Sequence, residues 1–361
     1  MKRLFLIALT FPLLCHAQES TKLQPMFNGK DLSGWVVVNT APSTWRFDDM
    51  GMLICSGKPT GEIRTATMYQ NFIMELEWRH MVPGGNAGVF VWADDITAKG
   101  QPFHRSVEVQ VLDHGYGNGR GHTTHGDIFP IHGATMKPIN GRGGSRAFPT
   151  ENRSKPSPEW NHYRIECQDG NISLAVNGKV VTRGEKCHPR KGYICLESEG
   201  GIVHYRNIRI KKLPDTAIQT DQIAIANRGY RPLYSGVDLS GWQAAEGWQP
   251  HDWTLKSQQD ATPLTSKESF AGSLGFVLDV RCKNDATSAV VKLGDEVILT
   301  MQPKGDDWHR YEGRLKRGTI QWTINGKPGS SNKIASALSG RLTLQPNGAA
   351  DWANIYVRSL P

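Results

Sequence analysis

Two polar side chains alternate with three valines in the segment 106–112, which reads Ser-Val-Glu-Val-Gln-Val-Leu. Successive side chains of a strand point to opposite faces, so the valines share one face while Glu108 and Gln110 share the other. If the valines pack in a core, Glu108 can serve as an acid/base or orienting carboxylate and Gln110 can bind hydroxyl groups. Asp113 ends the strand and could reach the same cleft from its rim. The alternative is a solvated outer strand face.

A long segment rich in Gly, His and Arg follows this strand and runs to Pro158. Histidine titrates near neutral pH and also ligates metals, so the segment could supply a proton-transfer group or a ligand for a divalent metal ion, and the alternative is that these histidines only form hydrogen bonds. Five of the twelve histidines lie between Gly84 and Pro158: His104, His114, His122, His125 and His132. Five basic residues there could mark a patch for a polar or anionic ligand: Arg120, Arg142, Arg146, Arg153 and Lys155.

A second pair of carboxylates follows near residue 200, in the run Leu196-Glu197-Ser198-Glu199-Gly200. Alternation places Glu197 and Glu199 on one face. One of them could join Glu108 on a shared concave surface, and the alternative is that both lie on the rim.

The elements that would carry these residues occur twice in the chain. The sequence Asp-Leu-Ser-Gly-Trp appears at 31–35 and 238–242, and the later landmark Trp160 corresponds to Trp308. Asn-Gly-Lys follows at 177–179 and 325–327. The interval between the first two landmarks is 59 residues shorter in the second copy, so the loss falls where the first copy has its long segment. The order of the matches indicates duplication.

The secondary structure is expected to be strands throughout. Asp169-Gly170, Asn177-Gly178 and Asn325-Gly326 are hairpin signals between alternating segments, and no stretch beyond the N-terminus keeps a helical period for three turns. Many short strands with turn signals predict an all-β sandwich or jelly roll. We expect a signal peptide at 1–17, a catalytic sandwich at 23–213, a polar linker at 214–231 and a shortened, non-catalytic sandwich at 232–361.

Composition narrows the class of protein further. The net charge of +8 is carried by scattered residues, which favours a mildly basic exported protein over one that binds nucleic acid. A basic start followed by the apolar run Leu4–Leu14 predicts export to the periplasm or the outside, and no later run could span a membrane. Five cysteines remain after export, and any disulfide is expected among Cys167, Cys187 and Cys195.

Six motifs in order resemble the 3-keto-disaccharide hydrolase family over about residues 23–213. They are Phe-Asn-Gly-Lys-Asp-Leu-Ser-Gly-Trp, Gly-Asn-Ala-Gly-Val-Phe, Glu-Val-Gln-Val-Leu-Asp, Glu-Trp-Asn-His-Tyr, Val-Asn-Gly-Lys and Tyr-Arg-Asn-Ile-Arg-Ile. The resemblance implies a concanavalin A-like jelly roll with a concave sugar-binding face. It also implies cleavage of glycosides whose C3 hydroxyl has been oxidised to a ketone, by removal of the C2 proton and elimination of the C1 aglycone.

The resulting assignment names three catalytic and seven substrate-binding residues. The catalytic residues are Glu108, His125 and Glu199. The substrate-binding residues are Trp92, Arg105, Gln110, Asp113, Tyr116, His132 and Lys137. One residue among His125, His132 and Lys137 would donate a hydrogen bond to the enolate. The partner is an oxidised carbohydrate, and no cofactor or metal ligand is assigned. Two alternatives are a non-catalytic carbohydrate-binding protein on the same fold and a conventional endo-glycosidase.

Overall fold

The computed structural model describes residues 22–282, 287–303, 305–334 and 338–361. The predicted signal peptide lies outside this part of the chain. In chain order the strands are β1 (Gln24–Pro25), β2 (Trp35–Val37), β3 (Trp45–Phe47), β4 (Leu53–Cys55), β5 (Gly61–Thr65), β6 (Phe72–His80), β7 (Asn86–Ala93), β8 (Ser106–Leu112), β9 (Ile128–Ile131), β10 (Thr135–Pro138), β11 (Asn161–Gln168), β12 (Asn171–Val176), β13 (Lys179–His188), β14 (Tyr193–Ser198), β15 (Val203–Lys212), β16 (Arg231–Pro232), β17 (Trp248–His251), β18 (Thr254–Ser257), β19 (Leu264–Ala271), β20 (Leu274–Cys282), β21 (Ser288–Leu293), β22 (Glu296–Met301), β23 (His309–Lys316), β24 (Thr319–Ile324), β25 (Lys327–Lys333), β26 (Ser339–Asn347) and β27 (Ala350–Ser359). Short 3-10 turns occur at Pro42–Thr44, His114–Tyr116 and Thr220–Gln222.

Strands β1 to β15 form one sandwich of two antiparallel sheets. The back sheet runs in the order β10-β13-β12-β11-β6-β15-β4-β3, with β1 paired to β15. The front sheet runs β2-β5-β14-β7-β8-β9. Strands β6 and β11 alternate strictly between buried and half-buried residues, because one face of the back sheet packs on the core and the other meets solvent.

The strand predicted at Ser106–Leu112 is confirmed as β8, and its three valines are fully buried in the core between the sheets. The hairpins predicted at Asp169-Gly170 and Asn177-Gly178 are confirmed as the turns between β11, β12 and β13. The turn at Asn325-Gly326 joins β24 to β25 in the same way. The all-β, concanavalin A-like jelly-roll prediction is therefore confirmed.

The remaining strands form a second, smaller sandwich. Its large sheet runs β17-β18-β27-β20-β23-β24-β25, with β16 paired to β27, and its small sheet runs β19-β26-β21-β22. The order of the small sheet corresponds to β5-β14-β7-β8 of the front sheet. Within the described residues no strand corresponds to β9 and β10, which come from the long segment of the first copy.

The segment between the sandwiches is more tightly attached than its polar sequence predicts. The backbone N–H of Ile225 donates to Asp94 at 2.8 Å, and that of Asn227 donates to the Tyr193 hydroxyl at 2.6 Å. The side chain of Arg228 forms two hydrogen bonds to Asp95, at 2.9 and 3.1 Å. The polar linker expected at 214–231 is thus hydrogen-bonded to the first sandwich at residues 225, 227 and 228.

The five cysteines of the described chain are all buried and free: Cys55, Cys167, Cys187, Cys195 and Cys282. The expected disulfide among the middle three is therefore not formed in this structure. No helix within the described residues is long and apolar enough to cross a membrane.

Candidate active site

Three carboxylates from three strands meet on the face of the front sheet that points away from the core. Glu108 on β8 lies opposite Phe90 on β7, and Gln110 lies opposite Gly88. The pairing of β14 with β7 brings Glu197 beside Gly88, and on its other side Glu197 lies opposite Glu62 of β5. Because side chains alternate between the two faces of each strand and these strands are paired in register, Glu62, Glu108 and Glu197 lie on the same surface, opposite the buried valines of β8.

Gly88 leaves the space in which two of these carboxylates converge. A methyl group added at Gly88 would lie 2.8 Å from Oε2 of Glu197 and 3.1 Å from Oε1 of Glu108. Any side chain at this position would therefore push the two carboxyl groups apart. The glycine is explained by this close approach rather than by backbone conformation.

Burial makes this carboxylate cluster hold protons tightly. Glu197 is 1% exposed and Glu108 is 6% exposed. Burial, followed by repulsion from Glu199, raises the pKa of Glu108 well above its ordinary value, while the positive charge of Arg146 opposes the shift. Burial and the charges of Glu108, Glu199 and Glu62 all raise the pKa of Glu197. Like charges in a poorly solvated site oppose one another's ionisation, so the cluster favours states in which at least one carboxyl group keeps its proton.

Amide and guanidinium groups surround the carboxylates. The side-chain amide of Asn86 donates to Glu199 Oε2, while its carbonyl accepts from Gln110 Nε2 at 2.8 Å. Arg146 donates to Asp127 at 3.0 Å and to Gln110 Oε1 at 3.4 Å. These groups are the donors that can orient sugar hydroxyls or stabilise a developing negative charge.

A second buried pair lies behind Glu197. Nδ1 of His104 and the carboxylate of Glu62 are in direct contact, and the backbone N–H of His104 donates to Glu62 Oε1 at 2.6 Å. Cys195 Sγ lies 3.9 Å from the same Nδ1. Nitrogen, sulfur and carboxylate donors of this kind suit Zn²⁺, so Glu62, His104 and Cys195 are the residues of the described chain that could hold a metal ion. In this structure Nδ1 is already engaged by Glu62, and an ion would have to separate the two.

Gln110 and Glu199 therefore belong to the cluster together with Glu108, whereas several other predicted residues do not. Trp92 is fully buried in the core, where its indole N–H donates to the carbonyl of Gln70 at 2.9 Å, so it does not line the site. Asp113 is also buried, and it accepts from the backbone N–H groups of Gly84, Gly115 and Ser157 at 2.8–2.9 Å. It ties loops together rather than facing a ligand.

Lys137 and His125 are also placed away from the carboxylates. Lys137 lies on β10 at the edge of the back sheet and pairs in solvent with Glu185 at 2.7 Å, so its predicted role as a donor in the site is wrong. His125 is buried, which lowers its pKa, and its Nε2 lies 3.4 Å from the carbonyl of Glu151. Its described contacts lead to the loop and not to the cluster.

Three predicted binding residues lie nearer the surface. Arg105 forms a two-pronged ion pair with Asp94 at 2.9 Å. Tyr116 is 52% exposed and packs edge-on against His122. His132 is exposed and adopts a left-handed backbone conformation with φ 51°, and its ring is close enough to Glu62 to interact electrostatically. None of the three contacts Glu108 or Glu197.

Glu62, Gly88 and Arg146 are site residues that the sequence did not identify in these roles. Glu62 lies on a strand of only 5 residues in which Ile63, between Glu62 and Arg64, is the single apolar side chain, so the alternation is too short to mark a core face. Arg146 lay within the predicted basic patch, but only the fold shows that it packs 3.4 Å above the ring of Phe129 and reaches Gln110. Glu197 was recognised as one of two choices beside Glu199.

On β21 and β22, within the described part of the second sandwich, the corresponding face does not carry this arrangement. A register shift occurs between β21 and β22, and Ile298 lies in the core. The outward cross-strand pairs are Val290 with Thr300 and Lys292 with Val297. None of these four residues is a carboxylate.

Comparison with known proteins gives one domain match. The family described as 3-keto-alpha-glucoside-1,2-lyase-like domain matches residues 22–211, which is more than half of the chain. No curated protein sequence matches this chain significantly.

Solved structures similar to the chain include two candidate glycosyl hydrolases from Parabacteroides distasonis. One is 26% identical, covers 53% of this chain and 100% of its own, and has a TM-score of 0.39. The other is 20% identical, covers 53% and 94%, and has a TM-score of 0.41. A β-glucanase from Bacillus licheniformis is 13% identical, covers 55% and 95%, and has a TM-score of 0.34.

Proposed function

The chain belongs to the family of 3-keto-alpha-glucoside-1,2-lyase-like domains, and from that premise we propose that it cleaves the glycosidic bond of 3-keto-glycosides. The observation that carries the proposal is the convergence of Glu108 and Glu197 over Gly88, both buried and both with raised pKa values. A buried carboxylate cluster of this kind offers one base and one acid at the same place.

A difference between the two carboxylates supports the roles that we propose for them. Glu108 has a nearby positive charge, Arg146, that favours its ionised form against the neighbouring acids, whereas the charges of Glu108, Glu199 and Glu62 all favour the protonated form of Glu197. Glu108 is therefore the base that removes the C2 proton, which the neighbouring C3 ketone has acidified. Glu197 keeps its proton and delivers it to the departing C1 oxygen. Glu199, hydrogen-bonded to Asn86, completes the shared proton network.

The electron pair of the C2–H bond moves first into an enolate at C2, C3 and O3, and its return expels the C1 aglycone and leaves a C1=C2 double bond. Addition of water then returns a proton to C2 and places a hydroxyl on C1, which gives net hydrolysis. The guanidinium of Arg146 and the amide of Gln110 are the groups in the cluster that can offset the charge developing on O3.

The converging pair also supports a second candidate, ordinary glycoside hydrolysis, because glycosidases use two carboxylates on either side of the bond. In that case oxidation at C3 would be unnecessary. The two mechanisms therefore make opposite predictions for an unoxidised substrate.

The direct test is incubation of the full chain with a 3-keto-glucoside and, in parallel, with its unoxidised parent. The proposal predicts release of the aglycone from the keto-glycoside alone. Equal release from both would favour the ordinary glycosidase. Binding of either sugar without release would make the protein a carbohydrate-binding module.

A further inference from the structure

We infer that the second sandwich positions the active site of the first, by clamping the segment that connects β7 to β8. This segment, residues 94–105, is called the clamp loop below. The inference concerns the position of the loop, and only its kinetic consequence rests on the proposed function.

The outer part of the clamp loop is held by polar side chains of the second sandwich. The hydroxyl of Thr97 donates to Asn354 Oδ1 at 2.7 Å and lies 2.9 Å from the Tyr356 hydroxyl. The backbone N–H of Gly100 donates to Asp279 Oδ2 at 2.8 Å. All of these side chains are at least nine-tenths buried, so the contacts exclude water.

The amide of Asn354 binds the loop at two further points. Its Nδ2 donates to the backbone carbonyls of Ala98 and Gln101, both at 3.1 Å, and to Asp279 at 2.7 Å. The two N–H groups of one amide are therefore shared among three acceptors, two of which belong to the loop. Loop backbone that is buried needs such partners, because an unsatisfied buried group costs about 1–3 kcal/mol.

Aromatic and charged residues of the second sandwich also contact the clamp loop or support its contacts. Gly100 lies so close to the indole of Trp308 that an added methyl would come within 2.2 Å of its ring. Asp279 is fully buried and is neutralised by two hydrogen bonds from Arg310, both at 2.7 Å. The docking surface is thus charge-balanced and sterically matched to the loop.

The inner part of the same loop enters the active site. Phe103 packs edge-on against Phe90, with ring centroids 5.6 Å apart, and Phe90 is the cross-strand neighbour of Glu108. The next residue, His104, donates its backbone N–H to Glu62 at 2.6 Å. The clamp at Thr97 and Gly100 is therefore only a few residues from groups that contact the carboxylate cluster.

A second contact from the second sandwich lies close to Glu62 in sequence. Asp252 accepts a hydrogen bond from the backbone N–H of Thr60 at 2.6 Å, two residues before Glu62. Pro59, beside it, accepts from the Ser198 hydroxyl at 2.8 Å, and Ser198 separates Glu197 from Glu199. The second sandwich thus contacts the first at two segments next to the cluster, the clamp loop and Thr60.

Duplication supplies an internal control for this interface. Asn207 is the counterpart of Asn354 in the first sandwich, and both adopt left-handed backbone conformations, with φ 52° and 50°. Asn207 likewise donates to an acid on a neighbouring strand, Glu77, at 2.9 Å, but this pair is exposed and touches no loop. Replacing either asparagine by alanine therefore removes a residue that tolerates the left-handed conformation, so the backbone effect is the same at both positions. Only Asn354 also contacts the clamp loop.

The experiment compares Asn354→Ala with Asn207→Ala in the full chain by amide hydrogen exchange at residues 94–105. We expect faster exchange in Asn354→Ala, including the N–H of His104, and wild-type protection in Asn207→Ala. Thr97→Val, which removes only the hydroxyl, should give a smaller change in the same direction. Wild-type protection of the His104 N–H in Asn354→Ala would overturn the inference, whether or not the protein acts on keto-glycosides.

The kinetic readout separates positioning from loss of fold. In Asn354→Ala we expect kcat to fall about tenfold, or 1.4 kcal/mol in barrier, with KM changed by less than about twofold. Asn207→Ala should keep both constants. Faster loop exchange with an unchanged kcat would show that the clamp does not position the catalytic groups. If the wild-type chain is inactive on every keto-glycoside, the proposed function is refuted. The hydrogen-exchange experiment then still tests whether the second sandwich holds the clamp loop in place.

Discussion

Replacement of Gly88 by alanine tests whether Glu108 and Glu197 work as a pair. The added methyl would lie 2.8 Å from Glu197 Oε2, 3.0 Å from the ring of Phe90 and 3.1 Å from Glu108 Oε1. The first of these separations is shorter than a carbon and an oxygen tolerate, so at least one carboxyl group must move. Gly88 lies within β7 and does not use a left-handed conformation, so the backbone accepts alanine.

The expected effects on stability and on turnover differ in size. Overpacking costs about 1–3 kcal/mol, and here the lower end applies because carboxyl groups can rotate away. Replacing a strand glycine offsets about 0.5–1 kcal/mol of that cost. A displacement of about 1 Å in a catalytic group, by contrast, can reduce the rate about 100-fold, which is about 2.7 kcal/mol in barrier.

The assay measures kcat on a 3-keto-glucoside together with the unfolding midpoint. Gly184→Ala is the control, since it adds a methyl 2.2 Å from the sulfur of Met136 on the back sheet, away from Glu108 and Glu197. We expect Gly88→Ala to fold but to lose about 100-fold in kcat, and Gly184→Ala to keep its kcat. A Gly88→Ala enzyme within about threefold of the wild-type rate would refute the pairing of the two carboxylates.

Two further predictions follow from the charges of the site. Because burial and neighbouring acids raise the pKa of Glu197 in the folded chain, the unfolded chain loses this proton first as the pH rises, and stability falls over that interval. Glu197→Gln should therefore stabilise the protein more at pH 8 than at pH 5 in thermal unfolding, and an equal effect at both would contradict the raised pKa. Arg146→Ala should lower kcat at least tenfold while Lys137→Ala leaves it unchanged, since only Arg146 reaches Gln110; the reverse order would restore the role first predicted for Lys137.

Local sequence patterns were sufficient to predict strand β8, the hairpin turns and the part of the site that β8 carries. The alternation of β8 predicts both the buried valines and the outward Glu108 and Gln110, because a strand with one face in a core has only one register that buries its apolar residues. The duplicated landmarks and hairpin turns likewise predict two sandwiches. These features depend on neighbours in sequence.

Features that depend on pairing between distant strands could not be predicted in this way. Strict alternation from Phe90 would direct Trp92 outward, but Trp92 has φ 56° and β14 pairs with β7 through a register shift at this point. The indole is therefore turned into the core. Similarly, the convergence of Glu197 with Glu108 follows from β14 lying beside β7, and the position of Lys137 follows from the long segment crossing to the back sheet.

The measurement that tests the central claim most directly is turnover of a 3-keto-glucoside in D₂O, with the product analysed by NMR for deuterium at C2. Removal of the C2 proton followed by addition of water introduces solvent deuterium at that carbon, whereas direct displacement at C1 does not. Glu108→Gln and a blank without enzyme correct for spontaneous exchange beside the ketone, and the variant should be at least about 100-fold slower. Our account predicts deuterium at C2 of the product at the rate of aglycone release by the wild-type chain. Aglycone release with C2 still carrying its original proton would contradict it.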